Sequence, residues 1–233
     1  WGPMWMDQPA LALGAQISSK GICQPYDQVF CPTPSRQENW RISEILKAIV
    51  NDPNCRPERC DVLVLKAPGF NFTSDTFLYY KTIEFPETSL TMSRLEGGAF
   101  DIVPFNFEAF LQSPYIIYVN FKNPGSSYFG AATRLIQNPP GSFARSHLAM
   151  AEFSLPGGRK ARLLKRTAPL TLVEAQEVIR AMDLEEKYKF GQYRVLAPLY
   201  AQAGQFDDAI QAYQRALDYE PMDPFLYFGL ARV

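Results

Sequence analysis

The chain has 233 residues, a mass of 26.4 kDa and a formal charge of −1, with 47% hydrophobic, 14% aromatic and 20% charged residues. That length supports one large domain or two small ones with real cores, and the apolar content excludes a disordered chain. The near-neutral charge argues against nucleic acid as a partner; no apolar run approaches the roughly 18 residues of a membrane span, the best being Tyr115–Val119.

The chain opens on Trp1-Gly-Pro-Met-Trp-Met-Asp7, without a basic region or a continuous apolar core, so this is not a signal peptide. The missing initiator Met and the stop at Arg232-Val233 in mid-pattern lead us to expect an excerpt of a longer protein. Residues 1–34 are proline-rich and read as an ordered lead-in loop. Ser35-Arg-Gln-Glu38 is a capping box, in which Ser and Glu satisfy each other's backbone donors. Trp40, Ile42, Ile45, Leu46, Ile49 and Val50 then recur at helical spacing up to Asn51-Asp-Pro53. Asp61–Leu65 reads as a buried strand, Thr73–Phe85 as an aromatic-rich helix, Ser89–Leu95 as a strand and Asn106–Gln112 as a short helix. Tyr115–Phe121 is the strongest strand signal, and Ser127–Asn138 is read as a helix. Ser146–Leu155, the turn Pro156-Gly-Gly158 and Lys160–Thr167 form a predicted hairpin. Alternation of helices and strands followed by a hairpin predicts an α/β fold: a mainly parallel sheet with an antiparallel hairpin, over residues 1–168. Thr171-Leu-Val-Glu174 is a further capping box, and residues 169–233 read as wholly helical.

Four cysteines fall in two close pairs, Cys23 with Cys31 and Cys55 with Cys60, in loop-like sequence. Local disulfides are favoured because short loops cost less entropy to close, and two of them imply an oxidising, extracytoplasmic setting. Free thiols and a zinc site are the alternatives; the absence of CxxC and the distance of the sole histidine weigh against metal.

The helical region contains Tyr193-x2-Leu196-Ala197-x2-Tyr200, then Ala209-x3-Tyr213, Ala216 and Pro221, with Gly204 in the connecting turn. This resembles a tetratricopeptide repeat, whose 34-residue signature places large residues, small residues and a terminal Pro at these spacings. One period onward lie Tyr227, Leu230 and Ala231, the start of a second copy; one period back lie Ala175 and Ile179, a degenerate preceding hairpin. Such hairpins stack because one cannot bury its own apolar face, so this copy is expected to lean on the first domain or on further repeats. The resemblance implies a protein or peptide partner on a concave face, to which the register assigns Arg194, Ala201 and Gln202. Packing alone is the other reading of a single copy. Pro198 departs from the pattern inside the first helix.

Reactive chemistry is not evident. His147, the only histidine, has no carboxylate or cysteine near it in sequence and reads as structural; no GxSxG, HExxH, Walker or GxGxxG sequence occurs, and Gly97-Gly98 is too short to cradle phosphate. No catalytic residue, metal or cofactor is assigned. Arg159–Arg166 holds five cations in eight residues and suits either anionic headgroups or a charged edge strand that blocks aggregation. Asn71-Phe-Thr73 fits an N-glycosylation pattern. Phe70, Phe72, Phe77, Tyr79, Tyr80 and Phe85 read as core, with an aromatic ligand rim as the alternative.

Glu38-Asn-Trp-Arg41, Asp61–Leu65, Phe70-Asn-Phe72, Tyr79-Tyr80 and the hairpin Phe153–Leu164 together resemble the soluble region after the last membrane helix of dolichyl-phosphate-mannose-protein mannosyltransferase-like enzymes, which include aminoarabinose transferases. The resemblance spans residues 36–166. It implies an extracytoplasmic, non-catalytic domain near a membrane, in an enzyme moving sugar from a polyprenyl phosphate, with the attached repeat docking acceptor or partner. The alternatives are a freestanding repeat-containing interaction module and a soluble α/β enzyme with a site assembled from separate loops.

Overall fold

The computed structural model describes residues 16–18, 21–23, 40–55, 60–65, 72–93, 95, 105–120, 128–184 and 191–233. Within the stretch read as a lead-in loop, β1 (Gln16–Ser18) and β2 (Gly21–Cys23) pair as a small antiparallel ladder. The Ser35–Glu38 capping box, Phe70, Asn71 and Gly97-Gly98 lie outside the described residues.

The body is built on a five-stranded sheet ordered β4-β3-β5-β7-β6. Here β3 is Cys60–Val64, β4 Leu90–Ser93, β5 Tyr115–Val119, β6 His147–Leu155 and β7 Arg159–Arg166. β3 is parallel to both β4 and β5, while the β6–β7 hairpin is antiparallel and joins the sheet through β5. Continuous apolar runs at Val62-Leu-Val64 and Tyr115–Val119 are what a sheet covered on both faces requires, and all these residues are buried. Gly157 and Gly158, both at positive φ (72° and 71°), close the hairpin in a conformation that side chains disfavour.

Alternate side chains serve opposite layers. Val62, Val64, Ile117, Ala161 and Leu163 face helix α1 (Ile42–Val50) and Phe77 of α2 (Ser74–Glu84). Leu63, Leu65, Ile116 and Tyr118 face the other layer, made of α3 (Phe107–Gln112), α4 (Tyr128–Gln137), α5 (Gly141–Ser146), α6 (Leu172–Met182) and α7 (Gly191–Gln202). Each fully buried Leu, Ile or Val contributes roughly 2 kcal/mol by leaving water. Side-chain caps fix three helix starts of these layers: Thr73 Oγ1 accepts from Thr76 N–H, Asn106 Oδ1 from Ala109 N–H, and Thr171 Oγ1 from Glu174 N–H.

Two expectations are corrected. The cation-rich strand β7 is interior, paired with β5 on one side and β6 on the other, so β6 is the edge. Its cations meet acids from β6, α6 and the turn after α1: Lys160 and Arg162 bind Glu152, Lys165 binds Asp52, and Arg166 binds Glu174. The Glu174 carboxylate does not complete a capping box; it is buried against Ser146 and Arg166.

Beyond the sheet, α7, α8 (Phe206–Tyr219) and α9 (Pro224–Arg232) follow as successive helices, with α8 packed on both others. The apolar core is continuous from the sheet through α6 into α7, across residue 168.

Candidate interaction site

The predicted repeat residues build the α7–α8 hairpin. Ala197, Ala209, Ala212 and Ala216 are buried where the helices meet, and their small size lets the two backbones approach. Tyr193, Tyr200 and Tyr213 fill the gaps between turns, and Leu196 faces the body core. Gly204, at φ 74°, ends α7: its N–H donates to the Ala201 carbonyl (3.1 Å) and Gln205 N–H to the Tyr200 carbonyl (2.9 Å), satisfying the last turn. Pro221 follows α8, and Pro198 sits inside α7 without ending it.

The step of one period backward also lands on structure. Ala175 and Met182, equivalent to Ala209 and Ala216, are buried, and Ile179, equivalent to Tyr213, packs against the same core. α6 therefore takes the place of the second helix of a preceding repeat. In place of that repeat's first helix, α4 and α5 of the α/β body pack against α6. One hairpin cannot cover itself, and here the sheet body provides the missing neighbour.

Gly191 and Arg194 mark where α7 meets the body. A Cβ on Gly191 would stand 2.6 Å from the Phe105 carbonyl oxygen, so the contact with the segment leading into α3 requires glycine. Arg194 reaches Glu108 on α3 (Nε–Oε2 3.2 Å), Glu220 after α8 (2.8 Å) and Asp223 before α9 (2.6 Å). Burial opposes its charge, but these three carboxylates outweigh it and hold the guanidinium protonated beyond its ordinary range. Of the residues assigned by register to a partner, Arg194 and Ala201 are half-buried and Gln202 is exposed. No sequence motif marks Glu108 or Gly191. The spacing of 86 residues between Glu108 and Arg194 leaves no local signal.

Past this joint the surface turns aromatic. On α9, Leu226, Leu230 and Val233 pack inward, and Gly229 lies against the Tyr213 ring. Phe225 and Phe228 share another face, 76% and 62% exposed, beside Met222 at 90%. The Arg232 guanidinium stands 5.4 Å from the Phe228 ring centroid.

Elsewhere the candidate chemistry closes on itself. His147 is buried and stacked on Phe143; its Nδ1 lies 3.0 Å from Ser146 Oγ, which donates to Glu174 (2.6 Å), itself paired with Arg166. The serine thus donates to a carboxylate rather than to the imidazole, the reverse of an activated nucleophile. Burial first, and Arg166 second, push the His147 pKa down to about 4. Asp52 and Lys165 form a second pair (2.7 Å) at a shallow cleft of about 440 Å³. Burial pulls the Asp52 carboxyl up, but Lys165 and two Asn54 donors outweigh it and leave the pKa at about 2. Among the described residues no cluster of His, Cys, Asp or Glu fits a metal ion, and no helix is long and apolar enough to cross a membrane. Phe72 and Phe77 are core, in edge-to-face contact at 4.9 Å, whereas Tyr79 and Tyr80 are exposed. Cys55 and Cys60 are joined as a disulfide (Cα–Cα 5.3 Å). Cys23 lies in β2, and Cys31 is outside the described residues.

Residues 198–233 match the TPR repeat family. The match runs from inside α7 through α8 and α9, so it covers most of the hairpin and the first helix of the next copy. No curated protein and no solved structure matches the chain.

Proposed function

We propose that the chain is a protein-docking module, in which the α/β body caps and fixes a tetratricopeptide hairpin whose open end receives a partner. The observation that carries this reading is the α7–α8 pair: it fills the signature positions of the repeat with residues of matching size and is seated on the body through Gly191 and Arg194. A rigid seat leaves the orientation of α7–α9 set before a partner arrives, which lowers the entropy cost of docking. The partner meets the array on the side of Arg194, Ala201 and Gln202 and along α9.

The Cys55–Cys60 bridge supports an extracytoplasmic setting, because disulfides persist in oxidising compartments. That setting favours a second, finer reading: the α/β body is the tail of a membrane glycosyltransferase of the mannosyltransferase-like class, and the repeat docks its acceptor or a partner subunit.

A photo-crosslinking side chain placed at Gln202 in the full protein in its native cells tests the docking reading. Discrete protein adducts are expected there and not from the same group at Lys47, which lies exposed on α1. Equal or absent adducts at the two sites overturn it.

A further inference from the structure

The α9 surface has a chemical character that the repeat signature does not dictate. Met222, Phe225 and Phe228 are its most exposed large apolar side chains. At the start of α9, Glu220 and Asp223 meet Arg194, which also binds Glu108, and Arg232 stands over the Phe228 ring. From Gly191 to Val233 there are five carboxylates, three guanidiniums and no lysine, so the surplus is negative. We propose that this aromatic, acid-rimmed surface binds a basic, apolar segment of a partner protein, in which Lys or Arg side chains alternate with large apolar ones. The proposal rests on the docking reading above and specifies the partner for that site.

Two features argue for this occupant over others. Among the described residues, Glu108 and Glu220 each spend one oxygen on Arg194; the second oxygen of each is an acceptor for an incoming ammonium or guanidinium. Both side chains are substantially exposed, at 50% and 41%, so a partner cation can reach them. The Phe228 ring already carries a guanidinium at 5.4 Å, which shows that its surroundings accept a cation against an aromatic face. An acidic segment would instead meet like charge at three carboxylates, whose central arginine is already paired with all of them, and would find Arg232 as the other cation of the surface. Such juxtaposition penalises the wrong partner and sets the on-rate of the right one.

The test uses the full chain and two fluorescent peptides of about twelve residues with the same Leu and Phe positions, one carrying Lys and the other Glu between them. Anisotropy titration at low salt is expected to give the Lys peptide at least about tenfold tighter binding, a preference that shrinks as salt rises. The Phe225→Ala/Phe228→Ala variant is expected to weaken the Lys peptide by about tenfold or more, since both rings are exposed and their removal leaves the core intact. Amide exchange is the second readout: the Lys peptide should slow exchange across Pro224–Arg232 and leave α1 unchanged. Equal binding of the two peptides, binding of neither, or binding indifferent to the double variant and to α9 protection overturns the proposal. So does a dimer of the chain alone that the double variant dissociates, because the surface is then a self-interface. Preference for the Glu peptide at α9 overturns the charge assignment while leaving the docking reading intact; loss of the Gln202 adducts overturns that reading whatever the peptides do.

Discussion

His147 is held neutral by its surroundings, and that has a measurable consequence for stability against pH. Its folded pKa of about 4 lies below the ordinary value of 6.5, so between those limits the unfolded chain binds a proton that the folded chain refuses. Stability therefore rises with pH across that window, and acidification from 6.5 to 4 costs up to about 3 kcal/mol from this one group. Asp52 has the opposite history with the same sign of slope at a lower pH: its folded pKa of about 2 lies under the ordinary 3.8, so its contribution is intact above 3.8 and is lost only as pH falls towards 2. The two windows do not overlap. Urea unfolding at pH 7 and pH 5 is expected to show a clear loss in the wild type and a much smaller pH dependence in His147→Asn, whose stability at pH 7 is lower at the outset. A variant slope equal to that of the wild type would place the titration elsewhere.

Individual elements show where sequence is informative. The α1 stripe from Ile42 to Val50, the β5 run and the Pro156-Gly-Gly158 turn announce themselves because period and turn chemistry are local. α5 carries no such signal, because Gly141–Ser146 has one large apolar residue, Phe143, and so no period. The place of β7 inside the sheet was equally hidden: its cations look like an exposed edge until Glu152, Asp52 and Glu174 arrive from other elements. The hairpin motif was legible position by position, whereas its seat on α3 depends on Phe105 and Glu108, far away in the chain. That seat is testable. Gly191→Ala puts a methyl group within 2.6 Å of a backbone oxygen that cannot swing aside. It is expected to destabilise the protein by about 1–3 kcal/mol despite the better helix propensity of Ala, read as a lowered thermal midpoint. The short Cys55–Cys60 closure between α1 and β3 is expected to contribute about 2 kcal/mol by the loop-entropy estimate, seen as the loss in the Cys55→Ser/Cys60→Ser variant under non-reducing conditions.

At the scale of the molecule, the change from mixed structure to all-helix near residue 168 is not matched by a gap in packing. Ala175 and Val178 of α6, Val195 and Leu199 of α7, and Ile116 and Tyr118 of β5 belong to one buried cluster. α8 and α9 join it through α7, whose Ala197 belongs to the neighbouring cluster with Tyr213, Ala216 and Leu226. α7 is thus shared by two cores, and unfolding it strips cover from both. The sheet and the repeat are therefore expected to melt in one transition, with equal calorimetric and van't Hoff enthalpies. The sharper test is Leu199→Ala, which opens a cavity on the body side of α7 at a cost of about 2–5 kcal/mol. If α7 couples the two cores, amide exchange in β5 and in α8 accelerates by the same factor, because both open only when the whole molecule opens. Acceleration confined to β5 would mean that the hairpin stands without the body, and the α/β layers would then be a neighbour of the docking module, not its cap.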